Sequence, residues 1–276
     1  IRLQFNENPR GLSPAARKAI VDNYEFASLY GGGPRGRMEQ MIAEQHGYET
    51  SYIALGNGSG DTLRQVPQAI GADGMHLIAA DPTYGEGLNA RSLFENVRVT
   101  RVTPRADHSH DIPAMRRAAQ TPAPVTLVYI CQPNNPTGAI TPSAEIDQWI
   151  EESDESSTYF LIDEAYHEFA EAADYLDLQR RHEHVVLLRT LSKFVSLAGV
   201  RCGLLVAAPE LVPVEGAEVT VTGPGGFKET ATTDENGRWV VSRGKDPAKD
   251  QSYVLWGLEQ KNLARTRFPI GNFHKS

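Results

Sequence analysis

The stretch "RTLSK" (189–193) carries a lysine to the end of an apolar run, "HVVLL" (184–188), that reads as a buried strand. An amine in that position is a nucleophile or a proton carrier if its surroundings lower its basicity. Two other apolar runs end in polar residues that packing alone does not call for. "TLVYICQP" leads into Asn134 and Asn135, held between prolines, and "YFLI" leads into Asp163 and Tyr166. A fourth group, "LGNGSGDTL" (55–63), is a glycine-rich turn entering a helix start, where open N–H groups and the helix dipole favour an anion. Arg201 follows Lys193 by eight residues, beside Gly203, and offers a planar cation for bidentate oxygen recognition. Amine, carboxylate, hydrogen-bond donors and anion cradle make a chemically coherent set.

Each feature has a plainer reading. A lysine at a strand-to-loop corner is ordinarily just solvated. Asp163 and Glu164 read equally as acidic residues at a helix start. "HSHD" (108–111) is read as a strand with two histidines on one face, which suggests metal, but no third ligand stands at a recognisable spacing. "EESDESS" (151–157) is a solvated helix end, and "GGGPRGR" (31–37) a flexible turn at the rim of the site rather than an anion loop.

The elements that must position these groups alternate from residue 13 to about 207. Helical patterns occupy "SPAARKAIVDN", with Ser13 as N-cap and Pro14 at the first position, "RMEQMIAEQHG", ending at Gly47, and "PSAEIDQWIEES". Short apolar runs recur at 52–56, 76–82, 97–102, 126–133, 159–166, 185–190 and 202–208. They do not alternate cleanly, which suits strands covered on both faces. The expected fold is therefore α/β: an open, mostly parallel seven-stranded sheet with helices on both faces. Ligands of such sheets bind beyond the carboxyl ends of the strands. The ~30-residue spacing of the polar strand ends is that of successive βαβ units, which puts all three at one edge.

Composition excludes several function classes. The chain has 276 residues with a net charge of -8, which argues against a nucleic-acid footprint. No run approaches the ~20 apolar residues of a membrane span, and the first residues, "IRLQFNENPRG", show no signal-peptide core. Cys131 and Cys202 sit in apolar runs and read as core thiols in a reducing compartment. The expectation is a cytoplasmic soluble protein without membrane or nucleic-acid partners.

A phosphorylated pyridine aldehyde needs an amine, a carboxylate at its ring nitrogen, donors at its phenolate and an anion cradle, and the groups above supply one each. The ordered stretches "FNENPRG", "GNGSGD", "DPTYGEG", "PNNPTG", "IDEAYHEF" and "RTLSKFVSLAGVRCG" resemble the fold-type-I pyridoxal-phosphate aminotransferases, in their histidinol-phosphate aminotransferase-like branch. The resemblance covers residues 1 to about 210. It implies pyridoxal 5'-phosphate as cofactor, with Lys193 forming the Schiff base and then shuttling the proton. Asp163 would pair with the pyridine nitrogen, and Tyr166 and Asn135 would bond the phenolic oxygen. The backbone of Ser59 and Gly60, with Thr190, Ser192 and Arg201, would hold the phosphate. Tyr84 would stack on the ring, and Tyr30 would reach the phosphate of a neighbouring subunit, implying a homodimer. The implied reaction is transamination between an amino donor, an amino acid or amino-alcohol phosphate, and a 2-oxo acid acceptor. A decarboxylase of an amino-acid phosphate uses nearly the same cofactor residues, so the motifs leave both open.

The texture changes near residue 212. "PVEGAEVTVTGPGGFKETATTDENGRWVV" alternates Val219 and Val221 with threonines and turns through "GPGG" and "DENG", the signature of small antiparallel hairpins. The domains are accordingly expected as 1–212, a cofactor-binding large domain, and 213–276, a β-rich segment. That segment weakly resembles the carboxypeptidase-regulatory or esterase-appended β-modules. It stands where the family carries the small domain whose arginine clamps the substrate carboxylate. Arg265 and Arg267 are the late arginines that might stand in, so cofactor binding without efficient turnover is expected of this chain. A natural fusion, a degenerate paralogue, a chimeric reading frame and a non-catalytic binding module all remain open on sequence alone.

Overall fold

The computed structural model describes residues 4–28, 32–70, 74–88, 96–170, 174–212, 218–223 and 227–232. The chain divides into two compact units, Ile1–Val212 and Pro213–Ser276. In the first, seven strands form one sheet: β1 (Ile53–Asn57), β2 (His76–Ala80), β3 (Arg98–Val102), β4 (Thr126–Cys131), β5 (Thr158–Asp163), β6 (Val185–Thr190) and β7 (Cys202–Val206). Each lies within or beside an apolar run expected to be a strand. The spatial order is β1-β7-β6-β5-β4-β2-β3. The pairs among β3, β2, β4, β5 and β6 are parallel, while β7 runs antiparallel to both β6 and β1.

Strand periodicity sorts the core into two layers, because successive side chains leave opposite faces of a strand. Val128, Ile130, Phe160, Ile162, Val185 and Leu187 share one cluster with Ile146, Trp149 and Ile150 of the helix Ser143–Glu151. Leu127, Tyr129, Leu161, Val186 and Leu188 share the other with Leu63 and Val66 of the helix Ser59–Ile70. Both faces are covered, so β2 and β4 are buried along their whole length. This is why these strands read as unbroken apolar runs. β3, at the sheet edge, is partly exposed.

Among the described residues the α-helices are α1 (Pro14–Asn23), α2 (Gly32–His46), α3 (Ser59–Ile70), α4 (Ile112–Ala119), α5 (Ser143–Glu151) and α6 (Leu176–Arg181). Ser13 caps α1 by accepting a bond from the Ala16 amide, as its sequence position implied. Gly47 takes a positive φ of 69° just past α2, the left-handed conformation a helix exit favours.

Two expectations are corrected. The glycine-rich stretch "GGGPRGR" is not a flexible turn: from Gly32 onward it is the first two turns of α2. Pro34 falls where its missing N–H costs nothing, in the first turn of a helix. The stretch "HSHD" is not a strand. It is a turn in which His108 has φ 66°, and Asp111 caps α4 through the Ala114 amide. His110 is buried and bonded to Thr141 through its own amide and Nδ1, so the two histidines do not share a face.

In the second unit, β8 (Glu218–Gly223) and β9 (Phe227–Thr232) pair antiparallel, from Glu218↔Thr232 to Gly223↔Phe227. This is the hairpin expected across "GPGG". The hairpin expected across "DENG" lies outside the described residues, as do Arg265 and Arg267.

Candidate active site

The parallel strands β4, β5 and β6 are neighbours, so their carboxyl ends lie side by side. Asp163 is the last residue of β5, opposite Cys131 of β4 and Leu188 of β6. It has the same parity as Leu161, so it projects to the face that packs on α3. Its carboxylate is 2% exposed. One oxygen accepts the Tyr129 hydroxyl at 2.8 Å and the other the Ala165 amide at 3.0 Å.

Burial pushes the Asp163 pKa up to about 6, against the opposing pull of those two hydrogen bonds. A buried carboxylate with neutral donors and no cation in contact is poised to receive a positively charged ring nitrogen. The linkage has a definite sign. With a folded pKa near 6 against 3.8, the native state binds the proton more tightly. Stability is therefore greatest below the unfolded value and falls as pH rises through the folded one. The shift corresponds to roughly 3 kcal/mol. In cofactor-free protein, urea unfolding of wild type minus Asp163→Asn is expected to lose about this amount between pH 4 and pH 7. A flat difference would show that Asp163 does not titrate in this range.

Lys193 lies just past β6, and its Nζ donates to the Phe5 carbonyl at 2.8 Å. The ammonium sits 5.6 Å from the centre of the Tyr166 ring. Desolvation lowers its pKa, partly opposed by Glu7 and Asp163 and assisted by Arg201. A half-buried lysine with lowered basicity is the amine the strand end called for. The Tyr166 hydroxyl accepts from Asn6 Nδ2 at 3.0 Å. Burial raises its pKa, the Asn6 bond opposes this, and Cys131 and Asp163 raise it further. Tyr84 is half-buried; desolvation raises its pKa, as do Glu86, Asp163 and Tyr166, while Arg201 opposes.

The anion cradle is built where β1 runs into α3. Gly58 has φ 86°, and a side chain there would run into the Arg201 guanidinium. Gly203 of β7 packs so closely on this turn that a Cβ would stand 2.6 Å from the Ser59 nitrogen. These two glycines let a cation and a strand close over the first turn of α3, where Ser59 and Gly60 present their backbone. The Asn57 amide is capped by Asp61 at 2.9 Å, which holds the turn. Arg201 itself is left-handed, φ 62°, with Nη1 donating to the Ala198 carbonyl at 3.0 Å. The Thr190 hydroxyl donates to the Cys202 carbonyl at 3.2 Å and lies 3.0 Å from Ser192 Oγ, so the two hydroxyls form a small buried network.

The fold thus gathers Asp163, Tyr166, Lys193, Tyr84 and Arg201 at one sheet edge. Ser59, Gly60, Thr190 and Ser192 flank Arg201. Asn135 is half-buried at the end of β4, whereas Asn134 is buried and consumed in holding its loop, bonding Thr83, Pro82 and Thr137. Tyr30 lies outside the described residues. Sequence reasoning missed Tyr129, whose hydroxyl on an otherwise apolar buried strand was the available signal. It also assigned no role to Asn6 or to the Phe5 carbonyl. Glu164 is no helix-start acid: its buried carboxylate pairs with Arg189 at 2.8 Å and ties the ends of β5 and β6 together.

Comparison with known proteins bears on the fold and the family. Residues 213–276 match the tRNA methyl transferase HUP domain, a different family from the β-modules which that stretch resembled. A histidinol-phosphate aminotransferase of Geobacillus is 31% identical over 215 residues, 77% of this chain and 58% of that protein. The chain therefore spans about three fifths of the length of such relatives. A solved structure from Erwinia carotovora atroseptica, titled as a candidate histidinol-phosphate aminotransferase, superposes with a TM-score of 0.72 at 32% identity, covering 76% of this chain and 62% of that one. The histidinol-phosphate aminotransferase of Sinorhizobium meliloti, solved in complex with pyridoxal-5'-phosphate, gives 0.67 at 25% identity, covering 75% and 55%. Residues 1–217 match the family described as aminotransferase class I and II, and the chain belongs to that family.

Proposed function

We propose that this protein is a pyridoxal-phosphate-dependent aminotransferase acting on an amino acid or amino-alcohol phosphate, with a 2-oxo acid as acceptor. The observation that carries the reading is the buried Asp163, held by neutral donors, at the same sheet edge as a half-buried lysine of lowered basicity and a glycine turn closed by Arg201. When bound, pyridoxal phosphate supplies an aldehyde carbon and a ring that accepts the electrons of a substrate carbanion.

This chain's residues do the rest. Asp163 holds a proton on the ring nitrogen, and Tyr129 and the Ala165 amide fix the carboxylate that does so. Tyr166, oriented by Asn6, and Asn135 bond the phenolic oxygen. Ser59, Gly60, Thr190, Ser192 and Arg201 hold the phosphate, and Tyr84 covers one face of the ring. Lys193 anchors the cofactor and then carries the proton at the substrate Cα, work suited to an amine whose pKa is lowered toward the working pH. Residues 1–212 form the cofactor domain, and 213–276 a second module.

A homodimer is part of the same reading. Phe5, Phe169, Phe194 and Val200 are more than half exposed beside the site. An apolar rim of this kind suits burial against a second copy. Sedimentation of the cofactor-loaded chain checks this, and a monomer at micromolar concentration would sink it. Among the described residues no helix is long and apolar enough to cross a membrane.

A half-reaction tests the activity. With an amino donor such as histidinol phosphate and no acceptor, the loaded chain should convert its cofactor to pyridoxamine phosphate. With an amino-acid phosphate as donor instead, release of carbon dioxide with the aldehyde form restored would identify a decarboxylase.

A further inference from the structure

At the opposite, amino-terminal end of the sheet, the turn before β5 and the turn before β6 bring three metal-binding side chains together. The ligand atoms of Glu155, His182 and His184 all lie within 4.8 Å of one another, the one such cluster among the described residues. Glu155 Oε1 is 3.1 Å from His182 Nδ1 and 3.5 Å from His184 Nδ1. Both imidazoles converge on the same carboxylate oxygen. A tetrahedral ion with ligands at ~2.0–2.1 Å has ligand–ligand edges of ~3.3 Å, close to both separations, the shorter of which is a hydrogen bond when no ion is bound.

His184 supplies the independent observation. It is 2% exposed, and no well-formed hydrogen bond reaches either ring nitrogen, the Ile150 backbone and Glu155 being the polar groups nearest to them. Burying an imidazole with both nitrogens unmatched is costly unless something else engages it. Phe160 packs on its ring at 5.7 Å and His182 at 5.6 Å, nearly perpendicular, which holds the ring in place. The backbone is also fixed: the Val185 amide donates to the His182 carbonyl at 3.1 Å, and Phe160 donates to the His184 carbonyl at 2.9 Å. Glu155 is exposed, so water would complete the coordination of an ion held there.

The geometry points to Glu155, His182 and His184 as a binding site for a borderline divalent cation of the Zn²⁺ class, remote from the cofactor pocket. Mixed imidazole and carboxylate ligands suit Zn²⁺ over Mg²⁺ or Ca²⁺, which take oxygen. The ion would clamp the 152–157 turn to the 182–184 turn and so join the entrances of β5 and β6.

The test uses the full chain loaded with pyridoxal phosphate, titrated with Zn²⁺ against a chromophoric chelator and with Co²⁺ followed by visible absorption. One Zn²⁺ per chain, a tetrahedral Co²⁺ spectrum and a metal-dependent rise in melting temperature are expected. Glu155→Gln and His182→Ala should each weaken binding by roughly tenfold or more, since even outer partners of a metal site are worth that much. Glu155 is exposed and His182 partly buried, both at the opposite end of the sheet from Lys193, and borohydride trapping on Lys193 verifies that each variant is folded. Absence of binding by the wild-type chain, or binding untouched by both substitutions, would overturn the assignment.

Discussion

Lys193→Ala is expected to abolish the borohydride-stable pyridoxyl adduct and to reduce turnover to below about 1% of wild type, since proton transfer by a positioned group is worth ~10²–10⁴-fold. The measurement is reduction of the cofactor-loaded chain followed by peptide mapping. In wild type the label should fall on the peptide containing "TLSKF". The variant should still fold: the side chain is only half-buried and its one described hydrogen bond goes to the Phe5 carbonyl. Loss of the label with an unchanged melting temperature separates a chemical role from a structural one. A variant that keeps the same adduct would remove Lys193 from the centre of the site.

Asp163→Asn is expected to give the second-largest effect, with the opposite consequence for stability. The substitution keeps the shape and removes the charge, so cofactor should still bind while turnover falls by ~10²–10³-fold, the usual cost of losing a preorganised electrostatic contact in a dry site. Near neutral pH the same variant should be more stable than wild type without cofactor, because the raised pKa records a desolvation penalty on the ionised carboxylate. Less activity with more stability marks a group placed for function at the expense of the fold. Paired steady-state kinetics and urea unfolding of the two proteins check it. Equal activity in the variant would show that Asp163 does not act on the ring.

Much of this was legible in the sequence, for local reasons. Strands sheathed on both faces, such as β2 and β4, become unbroken apolar runs and could be read one by one, and the polar residues ending β4, β5 and β6 stood out against them. A turn and its helix are also local, so "GNGSGD" entering α3 was readable as an anion cradle. "AEVTVTG" was readable as a strand from its alternation.

Tertiary structure decided what depends on which elements become neighbours. Sheet order places β7 between β1 and β6, and this alone brings Gly203 against Ser59 and Arg201 over Gly58, across more than 140 residues of chain. Register sets Tyr129 within reach of Asp163, and burial between the layers raises that carboxylate to about 6, which no spacing reveals. Local cues misled where a longer-range context won. The glycines of "GGGPRGR" suggested a turn, yet Gly32 and the residues after it extend the helix that packs on the sheet. The histidines of "HSHD" suggested a strand face, yet His108 adopts a left-handed turn and His110 is tied to Thr141. Of the three ligands that do converge, Glu155 stands almost 30 residues from His182 and His184. They meet because β5 and β6 are parallel neighbours, so the turns that precede them must lie side by side.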